Sequence, residues 1–94
     1  MKVRVIYLGV ARHKVGRSEE EYDLSEGSSL KDLLAKIAES HNSIKDLISG
    51  VGDNPTDPTL LITLNGSAVN PANIGYINLR DGDTLALMTV IGGG

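Results

Sequence analysis

The sequence predicts an α+β domain: a mixed sheet of four to five strands with one main helix packed on one of its faces. Three observations carry this. β-branched and large apolar residues open and close the chain, at Lys2–Val10 and Thr84–Ile91. Between them, Leu30, Leu33, Leu34, Ile37 and Ala38 recur at i, i+3, i+4, i+7 and i+8, the spacing of a single helical stripe. Further on, Asn65-Gly66 separates two short apolar runs, and this dipeptide is the strongest short-range hairpin signal because a type I′ turn needs φ > 0 at both central residues.

Lys2–Val10 is the first strand. Gly9 and Gly16 bracket a basic stretch, Arg12-His13-Lys14-Val15-Gly16-Arg17, which reads as a solvated turn. Ser18–Leu24 is a returning strand whose Glu19-Glu20-Glu21 run suits a sheet edge, where like charges discourage pairing with another chain. Ser29 with Asp32 then forms the [ST]-x-x-[DE] pattern that satisfies the first helical N–H groups, and it opens the main helix. Ser43 with Asp46 repeats that pattern, and Ile44, Leu47 and Ile48 predict a short second helix ending at Gly50. Asn54-Pro55 and Asp57-Pro58 mark turns. Leu60–Leu64 is the third strand and Ser67–Val69 the fourth. Asn70-Pro71 begins a loop, Ile74–Leu79 holds an irregular turn, and Asp81-Gly82-Asp83 turns tightly into the last strand. The order is ββαββ, so residues 1–91 read as one domain and Gly92–Gly94 as a flexible tail.

Composition narrows the functional classes. With 94 residues and 40% apolar content the chain supports one core without staples, and the absence of Cys removes disulfides and thiolate chemistry. A net charge of −3, with no Trp or Phe, argues against nucleic acid as the main partner, since phosphate binding wants a concentrated positive field and single strands want stacking platforms. No apolar run approaches the ~20 residues of a membrane span, and no signal peptide is visible, so a cytoplasmic domain is expected. His13 and His41 are far apart with no Cys beside them and read as two exposed histidines, not metal ligands. Gly50-Val51-Gly52 lacks the third glycine of a dinucleotide fingerprint. No Gly-Lys-Ser/Thr phosphate loop is present. Asp81 and Asp83 have no base or nucleophile beside them. Asn65-Gly66-Ser67 is better explained by its turn than as a glycosylation acceptor. Catalysis by this chain alone is not expected.

The chain ends Thr89-Val90-Ile91-Gly92-Gly93-Gly94. Glycines have no side chains to pack and lose the most entropy on ordering, so such an ending serves folding poorly. By itself it reads equally as a frayed terminus or as a tail built to thread a narrow slot. Taken with Leu61-Ile62-Thr63-Leu64-Asn65-Gly66, Asp81-Gly82-Asp83-Thr84-Leu85 and the ββαββ order, it resembles the β-grasp sulfur carriers and ubiquitin-related modifiers over nearly the whole chain. Among these are the molybdopterin synthase small subunit and the thiamine-pathway sulfur carrier.

The resemblance implies a ubiquitin-like β-grasp fold and a reactive terminal carboxylate. Gly94 is then the site that becomes an acyl-adenylate, a thiocarboxylate or an isopeptide bond, and Gly92 and Gly93 thread the slot. The family usually ends in two glycines and this chain in three, so trimming to Gly93 is the other possibility. The implied partners are a ubiquitin-activating-type adenylating enzyme, which uses ATP and Mg²⁺ that the carrier itself does not bind, and a sulfurtransferase, a molybdopterin synthase large subunit or target-protein lysines. A non-covalent ubiquitin-like interaction module is the alternative. Along the last strand Leu85 and Leu87 alternate with Ala86, Met88 and Val90. If the first two face the helix, Ala86, Met88 and Val90, with Ile91, form the partner-binding stripe.

Overall fold

The structure, a computed structural model, describes residues 1–49 and 59–89. The turns expected at Asn54-Pro55 and Asp57-Pro58, the helix end at Gly50, the incomplete fingerprint around Gly52, Val90 and Ile91 of the last strand, and the Gly92–Gly94 tail lie outside the described residues. The strands are β1 (Lys2–Gly9), β2 (Glu19–Asp23), β3 (Leu60–Leu64), β4 (Ser67–Ala68) and β5 (Thr84–Thr89). The helices are α1 (Val10–Val15), α2 (Leu30–Ser40) and α3 (Lys45–Ser49), with single 3₁₀ turns at Asn42–Ile44 and Pro71–Asn73. The strands form one mixed sheet in the order β2-β1-β5-β3-β4. β1 and β5 run parallel at its centre and every other pairing is antiparallel. This is the β-grasp arrangement that the resemblance implies.

α2 begins where the sequence places it. The Asp32 amide donates to Ser29 Oγ at 3.2 Å, and the Ser29 amide donates to the Asp32 carboxylate at 2.9 Å, which completes a capping box. Hydrogen bonding to the carboxylate, from the Ser29 backbone amide first and then from its side chain, lowers the Asp32 pKa. All five stripe residues of α2 are buried, while Lys31, Lys36 and Glu39 are exposed. Opposite the stripe, Val3, Val5 and Tyr7 of β1, Leu60 and Ile62 of β3, and Leu85 and Leu87 of β5 close the core. Burying each such Leu or Ile stabilises the fold by roughly 1.5–3 kcal/mol.

The two motifs that carry the resemblance meet at one end of the sheet. Asn65 and Gly66 both have positive φ, 52° and 85°, so the hairpin is built as the dipeptide predicts. The Asn65 side chain then reaches across to β5. Its Nδ2 donates to Asp83 Oδ1 at 2.9 Å, and its Oδ1 accepts from the Thr84 amide at 2.9 Å. Asp83 also accepts from the Arg80 amide at 2.7 Å, and Asp81 accepts from the Lys2 amide at 2.7 Å. The paired aspartates are therefore latch residues that join three chain segments.

Four expectations need correction. Arg12–Val15 are not a turn but most of α1, because Gly9 pivots the chain straight from β1 into a helix. Its φ of +60° with ψ of −132° is a conformation that L side chains rarely adopt, and a Cβ there would lie 3.5 Å from the Thr89 carbonyl oxygen. Strand β1 accordingly stops at Gly9, one residue early. Ser43 does not cap the second helix; its hydroxyl donates to the Lys14 carbonyl at 2.7 Å and ties α1 to the 3₁₀ turn. Glu20 and His41 are not solvated. β2 is an edge strand, but Glu20 lies opposite Val5 on the helix side of the sheet and is bonded to His41 there.

Candidate docking face and the root of the tail

Strand alternation decides which side chains face away from α2. Since Val3, Val5 and Tyr7 of β1 point into the core, Ile6 and Leu8 point to the open face. The same alternation puts Leu61 and Thr63 of β3, and Ala86 and Met88 of β5, on that face. The register brings them together. Met88 lies between Leu8 on one side and Leu61 on the other, and Ala86 lies between Ile6 and Thr63. Leu8, Leu61 and Met88 are 41%, 48% and 36% exposed; among the described residues only Tyr76 is another large apolar side chain this open to solvent. Three of four such side chains thus form one contiguous patch at the C-terminal end of β5.

The rest of the open face is polar. Lys2 pairs with Glu21 at 3.6 Å and Arg4 with Glu19 at 3.7 Å. These exposed pairs add little stability, but they bound the apolar patch on its β2 side. Ala86 and Met88 therefore stand where the sequence predicts the partner-binding stripe. Val90 and Ile91, like Gly92, Gly93 and Gly94, lie outside the described residues. Leu8, Leu61 and Ile6 were missed by sequence reasoning. Their signal was present as unbroken apolar runs, Val5-Ile6-Tyr7-Leu8 and Leu60-Leu61-Ile62, which mark strands with apolar residues on both faces.

Beneath the same end of the sheet, on the helix side, lies a polar knot. Glu20 Oε1 accepts from Tyr7 Oη at 2.5 Å and Tyr22 Oη at 2.8 Å, and lies 2.6 Å from His41 Nε2; Oε2 accepts from Arg17 at 2.9 Å. Burial alone would raise the Glu20 carboxyl pKa, but the bonds from Tyr7, Tyr22, His41 and Arg17 outweigh it and hold the group at about 2. Burial chiefly, then donation to Glu20, raises the Tyr7 phenol above its ordinary value. The knot joins β1, β2 and the C-cap of α2. At the end of β5, opposite Gly9 and Leu60, the Thr89 hydroxyl is buried without a hydrogen-bond partner among the described residues. No cluster of three or more His, Asp or Glu side chains among those residues is arranged to hold a metal ion, and none of the described helices is long and apolar enough to cross a membrane.

The sequence profile of the ThiS family matches residues 5–94, from the middle of β1 to the last glycine. The chain belongs to the ThiS family. The chain is also similar to the molybdopterin synthase sulfur carrier subunit of Chlamydomonas reinhardtii, at 28% identity over 94 residues, covering all of both chains. Among solved structures, SAMP1 of Haloferax volcanii superposes with a TM-score of 0.82 at 19% identity, covering all of both chains. A putative molybdopterin converting factor subunit 1 of Pyrococcus furiosus gives 0.76 at 29% identity, covering 97% of this chain and 99% of that one. This ThiS-family chain is thus a ubiquitin-like β-grasp protein whose relatives include sulfur carriers.

Proposed function

We propose that the chain is a carrier whose Gly94 carboxylate is activated by a ubiquitin-activating-type enzyme, which docks on the open sheet face around Met88. The observation that carries this reading is the Leu8–Met88–Leu61 patch. It adjoins Thr89, and from Thr89 the sequence runs in five residues to the terminal glycine. A surface that binds a partner five residues before a terminal glycine delivers that ending to the partner's active site.

The chemistry follows from the carboxylate. Its own leaving group would be oxide, so it is a poor acyl donor. Attack of a carboxylate oxygen on the α-phosphorus of ATP releases pyrophosphate and leaves an acyl-adenylate, whose leaving group is AMP. The partner supplies ATP, Mg²⁺ and the electrostatic stabilisation. A sulfur nucleophile that displaces AMP leads to a thiocarboxylate for sulfur transfer; a lysine amine gives an isopeptide bond. Gly92 and Gly93 serve as the threaded segment, because a Cβ would meet the slot walls. The full-length likeness to the Chlamydomonas subunit favours sulfur transfer, with a role as the small subunit of a molybdopterin synthase as its most specific form.

Mass spectrometry of the protein from its own cells tests this. A C-terminal oxygen-to-sulfur shift is expected and identifies the terminal glycine. Glycine remnants on lysines of other proteins would establish the modifier fate. With neither product, a non-covalent module replaces the carrier reading. In vitro, Gly94→Ala is expected to slow adenylation roughly a hundredfold, the scale of a 1 Å misplacement of a reacting group, with unchanged thermal unfolding. Equal rates would remove Gly94 from the reaction.

A further inference from the structure

α1 carries Arg12, His13 and Lys14 in consecutive positions, all exposed, and Arg17 follows just after it. Other cations near the sheet are neutralised: Lys2 pairs with Glu21, Arg4 with Glu19 and Arg17 with Glu20. Arg12, His13 and Lys14 have no ion pair or side-chain hydrogen bond to any described residue. Lys31, Lys36, Lys45 and Arg80 also lack an ion pair among the described residues, but each has an acidic residue close in sequence, at Asp32, Glu39, Asp46 and Asp81. Among the unpaired lysines and arginines, only Arg12 and Lys14 stand within two residues of each other with no acidic residue beside them.

The position of that helix is informative. Because β1 and β5 are parallel, Leu8 lies beside Met88 and Gly9 beside Thr89, and α1 starts at the next residue. Arg12 and Lys14 therefore stand on a helix that begins directly after the Leu8–Met88 and Gly9–Thr89 pairs. It is also rigidly mounted. Ala11 is fully buried, Val15 packs against the core, and the Lys14 carbonyl accepts the 2.7 Å bond from Ser43. Gly9, Arg12, His13, Gly16, Arg17 and Ser18 line an open concavity of about 460 Å³ beside the helix.

We propose that Arg12 and Lys14 form a docking ridge for an acidic, Asp- and Glu-bearing protein surface on the enzyme that receives the tail. This rests on the carrier reading above. Fixed, unpaired cations at the rim of an apolar patch speed encounter with a complementary surface and set its orientation, and they contribute less to holding the complex. Nucleic acid fits the ridge less well. Tyr7 is buried and Tyr22 half-buried, so no exposed aromatic platform adjoins the cations, and Glu19 and Glu21 on the neighbouring edge strand repel phosphate.

The test is association of the full chain with its adenylating enzyme, followed by stopped flow at low and high salt. Arg12→Glu/Lys14→Glu is expected to lower the association rate about tenfold at low salt, with dissociation nearly unchanged and the difference gone at about 1 M salt, where the Debye length is about 3 Å. Arg12→Gln/Lys14→Gln should fall between, and it serves as the probe if the reversal fails to fold. Lys36→Glu should behave as wild type. If wild type is adenylated and the charge-reversed protein associates at the wild-type rate, the ridge is overturned and the carrier reading stands. If wild type is neither bound nor adenylated, both fall. Binding of a fluorescent polyuridine strand at physiological salt that Arg12→Glu/Lys14→Glu abolishes would overturn the acidic partner in favour of RNA.

Discussion

The two ends of the central β1–β5 pair are built on opposite plans. At the end where both strands begin, polar groups are answered by near neighbours. Asn65 bridges the hairpin to Asp83 and Thr84, Asp83 holds the Arg80 amide, and Asp81 holds Lys2. At the end where they finish, Leu8, Leu61 and Met88 face solvent, Arg12 and Lys14 lack ion pairs among the described residues, and the Thr89 hydroxyl has no hydrogen-bond partner there. Beneath this end Tyr7, Tyr22, His41 and Arg17 are gathered on Glu20, and the Thr89 hydroxyl stands outside that knot. The first end closes the fold. The second leaves apolar and cationic surface exposed around Thr89, and the Glu20 knot adds polar contacts to the core beneath it.

That contrast can be broken from either side. The largest stability effect is expected from Glu20→Ala, which leaves the buried Tyr7 hydroxyl without its acceptor. Unfolding free energy from urea titration should fall by about 3 kcal/mol. The same group gives a pH signature. Its carboxyl sits at about 2 in the fold against an ordinary 4.5, so its contribution is complete above pH 4.5 and is lost as pH falls through about 2. Glu20→Gln should flatten that acid limb; an unchanged limb would place the pH dependence elsewhere.

Met88→Asp comes next and should act in the opposite sense. Affinity for the activating enzyme is expected to drop by about 2 kcal/mol, roughly thirtyfold, because a charge replaces the centre of the patch, while the urea midpoint stays put. If stability fell and binding did not, the patch would be packing surface. Asn65→Ala is the smallest of the set, at about 1–1.5 kcal/mol of stability from the two exposed bonds and the positive φ that Asn tolerates and Ala does not. Adenylation of that variant, measured at a temperature where it is folded, should match wild type. A slowed reaction would show that the latch end also serves docking.

Legibility in the sequence followed the same division. Asn65-Gly66, Asp81-Gly82-Asp83 and Ser29 with Asp32 were readable because each is a local solution to a backbone problem: a positive φ, a tight turn, an unpaired helical N–H. The face assignment of Ala86 and Met88 was readable too, since alternation with Leu85 and Leu87 needs only a core on one side. The knot was not readable. Tyr7, Glu20 and His41 are spread over two strands and the end of α2, and a Glu-Glu-Glu run with a lone His gives no sign that one carboxylate turns inward. α1 was misread as a turn because six residues show no helical periodicity long enough to recognise, and because its start depends on the conformation of Gly9.

By itself, then, the sequence determined the five strands, their order along the chain, the capped amphipathic helix and the glycine ending, all set by residues a few positions apart. Only the tertiary structure decided that Leu8 and Leu61 flank Met88, that Glu20 is a hub and that the α1 cations stand beside the root of the tail. The reason is physical. Strand register and the parallel pairing of the two chain-terminal strands bring residues about eighty positions apart into contact, and no local periodicity records which partners that pairing selects.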